Sequence, residues 1–493
     1  MARVIPSHVV VMLPCVGFLL AQNGCPEDDL DHDGYSQEEG DCDDTNPDIY
    51  PGQLESCDGV DNDCDGMVDN IHAWHVDAAA GAEGDGLTWE TAFDTLDDAT
   101  EAARMCAGPI WVATGTYRAA LPSSPVLDMP FGITVYGGFE GSETALEQRA
   151  GLFDETILSG DYDASGDLSE PDSPRVVIGA SGARLDGFRI EGGYARDDGV
   201  QVQTTGAGMY NLLVTDLIVA HVTFKGNHAD FSAGAVWNEE SDVLFESVRF
   251  EENSADEYGG AVLNYRSRSS FSESSWIANS ARLGGALYHE GEDMLTISSS
   301  SFVDNQATDG GAILSNGDLS LGNVDFLSNR GNMSYGEGGA VYLSPGAVAE
   351  FVNVSALDNA AWSGDVLFLD GSAGHVSNTV VWTDTQTSGL PFVAYTDDAS
   401  LEVSYSAASV ELSGEANLVL DSNPFVVIDV DGDGQEELLL DESSACRDAG
   451  SNADADGAAG LDSGWWRDSA TTVDCLVDAD PVDLGRHYED CRL

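Results

Sequence analysis

The chain has 493 residues and a formal net charge of −70 at pH 7, because 88 acidic residues outnumber 18 basic ones. A surface this acidic repels nucleic acid and anionic lipid headgroups, which excludes both as partners, and it favours bound cations. A hydrophobic content of 42% is ample for a folded core, so the acidity does not indicate disorder.

Residues 1–21 have the features of a secretory signal peptide. Arg3 is followed by an apolar run from Val9 to Ala21 that is too short to span a membrane, and no later segment is long enough. The predicted protein is therefore secreted or at the cell surface, associated with the outer membrane. The alternative is a bacterial lipoprotein with a lipid anchor at Cys25. Cleavage after Ala21 leaves an even number of cysteines, which suits disulfides in an oxidising compartment: Cys25, Cys42, Cys57, Cys64, Cys106, Cys446, Cys475 and Cys491.

Residues 22–72 are predicted to form a Cys/Asp-rich metal-binding module with little apolar core. Carboxylates recur at alternate positions and are followed by glycine, which is the arrangement of a calcium loop. Carboxylates suit Ca²⁺, whereas copper and zinc prefer imidazole or thiolate, and only His32 is nearby. The alternative is an acidic, disulfide-linked segment without metal. The candidate ligands are Asp29, Asp31, Asp33, Asp41, Asp43, Asp44, Asp61, Asp63, Asp65 and Asp69.

Five segments of this module carry a family resemblance. They are Asp31-x-Asp33-Gly-Tyr, Gly-Asp41-Cys-Asp-Asp, Tyr50-Pro-Gly, Glu55-Ser-Cys-Asp-Gly and Asp61-Asn-Asp63-Cys-Asp-Gly. Together they resemble the MopE-type metal-binding motif of bacterial surface proteins. The resemblance implies a metal-binding function for this part of the chain.

Residues 73–130 are predicted to hold an N-terminal cap and the first coil of a repeat domain. Phe93, Leu96, Ala99 and Ala103 have helical spacing, and the first strand is expected at residues 110–117. This order resembles the beginning of bacterial β-helix proteins, which implies that an amphipathic helix covers the open end. Such a cap would protect apolar core and unpaired strand edges. Trp74, Trp89 and Phe93 are the predicted cap residues.

Residues 131–420 are predicted to form a right-handed parallel β-helix, so the fold class is all-β. A pattern Phe-x-x-Asn-x-Ala recurs between Gly206 and Gly364 at intervals of 26, 26, 26, 24 and 30 residues. At ~3.3 Å per strand residue, one unit makes a coil of three short strands. The repeated asparagines should form an inward ladder that satisfies backbone groups at a corner. They are Asn227, Asn253, Asn279, Asn305, Asn329 and Asn359.

Two elements recur in fixed phase within these units. They are Phe-x-x-Asn, as in Phe302 to Asn305, and Gly-Gly-Ala-(Ile/Val), as in Gly310 to Ile313. Both resemble repeats of the chlamydial polymorphic outer membrane protein family. The resemblance implies surface display and adhesion.

Residues 421–493 are predicted to hold a calcium-like loop and a C-terminal cap. Asp429, Asp431 and Asp433 are the candidate ligands of this loop. A disulfide among three late cysteines would hold the cap, although its pairing stays open. An earlier segment with Asp161 and Asp163 has a weaker resemblance to a calcium loop and is interpreted as a surface loop.

The repeats give more support to binding than to catalysis. Acidic and histidine side chains do not recur in register, whereas the turns before the Gly-Gly pairs vary in length, as expected of a recognition edge. Tyr258, Tyr335 and Trp362 are predicted to be exposed there, where they could stack on sugars or could equally cover the neighbouring turn. The predicted partner is an extracellular polysaccharide or a cell-surface molecule. The alternative is a calcium-dependent polysaccharide lyase or glycoside hydrolase.

Overall fold

The apolar positions of the repeat face inward, and the chain winds into a parallel β-solenoid of about 11 turns, which confirms the predicted fold class. The chain divides into two units, one ending at Asn70 and one beginning at Ile71. The signal peptide, Cys25, the loop of Asp429, Asp431 and Asp433, and most of the predicted C-terminal cap lie outside the described residues. The computed structural model describes residues 29–82, 84–149, 151, 153–166, 172–197, 204–382, 393–396, 398–409, 412–414, 416–420, 422–428, 437–440 and 446.

Successive coils pair in parallel, and in the described residues they build two large sheets and one small sheet. The strands of the 19-stranded sheet are Trp74–Val76, Ile110–Ala113, Gly115–Arg118, Thr134–Phe139, Thr156–Ser159, Arg184–Glu191, Leu217–Lys225, Asp242–Glu246, Arg249–Glu251, Arg268–Ser272, Ser275–Ile277, Leu295–Val303, Leu319–Leu327, Val348–Leu357, Ala373–Ser377, Val380–Trp382, Ser400–Ser404, Ala407–Ala408 and Leu418–Val419. The strands of the ten-stranded sheet are Leu127–Asp128, Val177–Ile178, Met209–Leu212, Val236–Glu239, Val262–Tyr265, Leu287–Glu290, Ile313–Ser315, Val341–Leu343, Leu367–Leu369 and Val393–Tyr395. The three-stranded sheet contains Tyr194–Ala195, His228–Ala229 and Ser254–Ala255.

Two strands and the helices lie outside these stacks. The strands Phe425–Ile428 and Glu437–Leu440 form an antiparallel pair. The single α-helix of the described residues, α1, is Leu96–Met105. Short 3₁₀ helices are Gln37–Glu39, Trp89–Thr91, Leu146–Gln148 and Phe153–Glu155. None of the helices described is long and apolar enough to cross a membrane.

An aromatic ladder runs through the core of the repeats. Five aromatic residues occupy equivalent positions in successive coils, and neighbouring rings stack with centroids 4.4–5.3 Å apart. Burial and stacking of these rings stabilise one coil on the next. The stacked residues are Phe224, Phe250, Trp276, Phe302 and Phe326.

The predicted asparagine ladder is also present. The side-chain Oδ1 of Asn279 accepts hydrogen bonds from the backbone N–H (3.0 Å) and from Nδ2 (3.1 Å) of Asn253. Nδ2 of Asn279 donates to the carbonyl of Phe250 (2.9 Å) and to Oδ1 of Asn305 (3.0 Å). Each asparagine therefore satisfies polar groups of its own corner and of the neighbouring coil, as buried backbone groups require.

A second asparagine ladder was not predicted. On the ten-stranded sheet, Asn211 donates to Asn238 (2.7 Å), and Asn238 donates to Asn264 (2.6 Å). The next two coils carry His289 and Ser315 in register. His289 is fully buried, and loss of hydration lowers its pKa, which favours the neutral ring.

The beginning of the solenoid differs from the prediction in two respects. The first strand is Trp74–Val76, not residues 110–117, and it pairs in parallel with Ile110–Ala113. Phe93 precedes α1 and forms a bridge with Val76, because its backbone continues the first coil. Thr95 caps α1 by accepting the N–H of Asp98 (3.2 Å), which explains the later start. The predicted role of α1 as a cap stays a prediction.

Candidate metal centre and binding edge

Asp29, Asp31 and Asp33 lie in one tight loop of the first unit. Each has a carboxylate oxygen within 4.8 Å of the others. The loop is held by its own backbone, because Asp29 accepts hydrogen bonds from the N–H groups of His32 (2.6 Å) and Gly34 (3.1 Å). Gly34 has a φ of 105°, a backbone conformation that residues with a side chain rarely adopt. The alternate spacing therefore places three carboxylates around one point.

A second carboxylate group shares Asp31 with the first. Asp31, Asp41 and Asp44 also have oxygens within 4.8 Å of one another. Asp44 lies close because it accepts the N–H of Leu30 (2.9 Å), and Asp41 is only 2% exposed. Loss of hydration and the neighbouring charges of Asp33 and Asp41 raise the pKa of Asp31. The two groups together form one acidic cluster of five aspartates.

Three oxygens of this cluster are buried without a hydrogen-bond partner in the part of the chain that the structure describes. They are Oδ2 of Asp31, Oδ2 of Asp33 and Oδ2 of Asp41. A buried carboxylate oxygen without a partner is costly, and several negative charges at this distance repel one another. A cation among them would remove both penalties. The residues present therefore fit a bound metal ion.

A third group combines Asp61 and Asp63 with Glu55, which was not among the ligands predicted from the sequence. The three have carboxylate oxygens within 4.8 Å of one another, and Glu55 is buried. Glu55 accepts hydrogen bonds from the N–H groups of Asn62 (2.6 Å), Asp63 (2.9 Å) and Asp69 (2.8 Å). The Glu55 carboxylate therefore holds the second loop through these hydrogen bonds and also lies close to the carboxylates of two aspartates.

Three predicted ligands do not enter these carboxylate groups. Asp43 is exposed and accepts the hydroxyl of Thr45 (2.7 Å). Asp65 accepts the N–H of the residue two positions later (2.8 Å), and Asp69 accepts the N–H of Gly59 (2.9 Å). Their carboxylates bond turns of the module, which is the ordinary role of aspartate in loops.

A disulfide connects the two halves of this module. Cys42 is bonded to Cys64, with Cα atoms 5.6 Å apart, and Cys57 is also disulfide-bonded. These sulfurs are therefore not thiolate ligands. The hard carboxylate oxygens are the remaining donors, together with backbone carbonyls.

The weaker calcium-like segment of the second unit also brings carboxylates together. Asp161, Asp163 and Asp172 have oxygens within 4.8 Å of one another. Asp172 is fully buried and accepts the N–H of Tyr162 (3.1 Å), while Asp161 accepts the N–H of Gly166 (3.0 Å). The segment was predicted to be a surface loop, and the carboxylates of Asp161 and Asp172 accept hydrogen bonds from the backbone of that loop.

The predicted recognition edge is exposed only in part. Tyr335 is 66% exposed and Trp362 is 57% exposed, as predicted. Tyr258 is partly buried instead, because its ring packs against Phe231 (centroids 5.6 Å apart) and Tyr288 (4.9 Å). The prediction of an exposed Tyr258 is therefore wrong, since this ring covers the neighbouring coils.

Two carboxylates near this edge were not identified from the sequence. Asp309 and Glu337 each precede a Gly-Gly pair in successive coils, and the N–H of Glu337 donates to Asp309 Oδ1 (2.9 Å). Burial raises the pKa of both carboxyl groups, and the charges of Asp309 and Asp370 raise that of Glu337 further. The edge therefore carries two neighbouring carboxyl groups whose pKa values are raised.

One family model matches a short part of the chain. The MopE family of metal-binding motifs, whose model is named Cu-binding MopE, matches residues 41–70. The chain therefore carries a MopE-type metal-binding motif in its first unit. Comparison with curated proteins gives no match.

Several solved structures are similar to the chain at low identity. Pectate lyase Pel9A is 12% identical with a TM-score of 0.45, over 86% of this chain and 98% of that one. The GH136 lacto-N-biosidase from Eubacterium ramulus is 10% identical with a TM-score of 0.41, over 71% of this chain and 68% of that one. PfbA, a surface adhesin of Streptococcus pneumoniae, is 10% identical with a TM-score of 0.34, over 74% of this chain and 100% of that one. Similarities at these scores do not indicate a shared activity.

Proposed function

We propose that the first unit binds Ca²⁺ through its carboxylate groups. The observation that supports this most directly is the set of three buried oxygens of Asp31, Asp33 and Asp41, for which the described residues provide no hydrogen-bond partner. One site would be formed by these residues with Asp29 and Asp44, and a second by Glu55, Asp61 and Asp63.

Calcium fits this donor set better than a transition metal does. Ca²⁺ takes six to eight oxygen ligands in flexible geometry, which carboxylates and carbonyls of a loop can supply. Copper and zinc favour imidazole and thiolate, but Cys42 and Cys64 are joined in a disulfide. The side chain of His32 belongs to none of the described carboxylate groups. The bound ion would neutralise the cluster and connect its two loops.

The test is calcium binding by the full chain and by Asp41→Asn. We expect isothermal titration calorimetry to show saturable Ca²⁺ binding, and the substitution to weaken the first site at least tenfold, because a buried ligand charge is lost. Asp43→Asn is the matched control, since Asp43 is adjacent and exposed. Tight Cu²⁺ binding without Ca²⁺ binding, or equal effects of both substitutions, would contradict the proposal.

We further propose that the protein acts outside the cytoplasm as a surface or secreted binding protein. The predicted signal peptide and the disulfide between Cys42 and Cys64 support this location, because structural disulfides persist in oxidising compartments. The predicted lipid anchor at Cys25 is the alternative to a free protein. The partner would be an extracellular polysaccharide or a cell-surface molecule that contacts the exposed rings of Tyr335 and Trp362.

Hydrolysis of a polysaccharide is the second candidate function. The acid pair Asp309 and Glu337 favours it, because a carboxyl group whose pKa is raised can donate a proton to a glycosidic oxygen. The neighbouring Tyr335 and Trp362 are exposed aromatic side chains that suit stacking on sugars. Both candidate functions therefore place the ligand at the same edge.

One experiment separates binding from hydrolysis at this edge. We expect Trp362→Ala to weaken retention on an immobilised polysaccharide at least tenfold, whereas Phe131→Ala, which removes another exposed ring, leaves retention unchanged. No new reducing ends or unsaturated products should appear with or without Ca²⁺. Turnover that is lost in Glu337→Gln would contradict the binding function and support the hydrolase.

A further inference from the structure

A cleft of about 380 Å³ opens beside His221 on the second unit. Its walls are the 3₁₀ helix Phe153–Glu155, the outward side of strand Leu217–Lys225 and one residue of the next coil. This volume lies within the range of ligand-binding clefts, roughly 300–1,000 Å³. The lining side chains include Phe153, Asp154, Glu155, His221, Thr223 and Ser247.

The imidazole of His221 is held in a fixed orientation. Its Nδ1 lies 3.2 Å from Oδ1 of Asp186, and its ring contacts Phe153 with centroids 5.1 Å apart. Asp186 is itself buried and forms ion pairs with Arg149 (2.9 Å) and Arg184 (2.7 Å). Burial opposes ionisation of Asp186, but the bonds from His221 and Arg184 hold its pKa at about 2. Nδ1 therefore faces a permanent carboxylate, and Nε2 is the nitrogen left for the cleft.

The charges around the cleft select against an anionic ligand. Arg149 and Arg184 are both engaged by Asp186, and their side chains are only 14% and 26% exposed. Asp154 and Glu155 are exposed at the wall of the cleft and carry negative charge. A uronate or phosphate group would be repelled by these two carboxylates. Both arginines named here are already paired with Asp186, so neither would compensate for this repulsion.

The remaining chemistry matches a sugar ring. Phe153, whose ring also packs against the guanidinium of Arg149 (4.8 Å to the centroid), contributes apolar surface to the wall of the cleft for the C–H groups of a pyranose. Thr223 and Ser247 offer hydroxyls, and the two carboxylates accept hydrogen bonds from sugar hydroxyls. We propose that this cleft is a binding site for a neutral saccharide, in which Nε2 of His221 bonds one hydroxyl. The site is separate from the edge of Tyr335 and Trp362 and does not depend on it.

The test is calorimetric titration of the full chain with three tetrasaccharides. The probes are the β-1,4-linked tetramers of glucose and of N-acetylglucosamine, and the α-1,4-linked tetramer of galacturonate. We expect at least one neutral tetramer to bind, and the galacturonate tetramer to bind at least tenfold more weakly. His221→Gln should weaken neutral binding at least tenfold.

Matched variants keep this test decisive. His375→Gln is the control, because His375 is exposed and its Nδ1 lies 3.2 Å from a carboxylate oxygen of Glu402, as in the His221 pair. It should change affinity less than twofold. Thr223→Trp, which fills the cleft but keeps the His221–Asp186 pair, should also abolish binding. Absence of neutral binding, preference for galacturonate, or loss of binding only in Trp362→Ala would overturn the proposal.

Discussion

Replacement of Asn279 by leucine is expected to lower the free energy of unfolding by about 3–5 kcal/mol. The side chain of Asn279 accepts two hydrogen bonds from Asn253 and donates one each to Phe250 and Asn305. Leucine has a similar volume but none of these atoms. The backbone N–H and side-chain amide of Asn253 and the carbonyl of Phe250 would stay buried without these partners, at about 1–3 kcal/mol for each unsatisfied group.

Urea denaturation followed by circular dichroism measures this effect. The matched control is Asn332→Leu, because Asn332 lies in a surface turn, where its Oδ1 accepts the N–H of Ser334 (2.9 Å). We expect the control to change stability by at most about 0.5 kcal/mol. Because each coil contacts only its neighbours, the central position of Asn279 should destabilise the repeats on both sides. Similar losses in the two variants would mean that the ladder does not carry this stability.

The first ladder was predictable because its asparagines recur over six coils, five of which carry an aromatic residue in fixed phase. The second ladder was missed because it holds only Asn211, Asn238 and Asn264 before His289 replaces the amide. Three occurrences do not stand out against chance in a chain this long. The structure identifies the ladder because strand pairing, rather than residue type, aligns the positions.

The carboxylate sites likewise include residues that the sequence predicts and residues that only the structure identifies. The alternate spacing of Asp29, Asp31 and Asp33 indicates a loop directly, since neighbours in sequence become neighbours in space. Glu55 was missed because its role depends on burial under backbone N–H groups of a later segment. No role was predicted for His221 from the sequence, because its partner Asp186 precedes the regular repeats. Only the pairing of strands Arg184–Glu191 and Leu217–Lys225 brings the two together.

The two glycines of each Gly-Gly pair in the repeat are required for different physical reasons, which the sequence analysis did not separate. The first glycine of a pair, such as Gly284 with a φ of 63°, adopts the left-handed region, and a Cβ atom on it would also lie 2.3 Å from the carbonyl oxygen of Leu287. The second glycine, Gly285, does not have a positive φ. A Cβ atom on Gly285 would instead lie 2.2 Å from the carbonyl oxygen of Gly311 in the next coil. Close approach between coils, not backbone conformation, requires this second glycine.

Gly285→Ala is therefore expected to cost about 3 kcal/mol or more, because the contact is with backbone that must move. Gly226→Ala is the matched control, since Gly226 has a φ of 62° but nothing lies within 4 Å of its Cβ position. The same ladder position holds Ala278 at a φ of 54°, so alanine fits this conformation. We expect the control to cost about 1–2 kcal/mol in urea denaturation. A larger loss for Gly226→Ala than for Gly285→Ala would show that conformation, rather than the spacing of the coils, selects glycine.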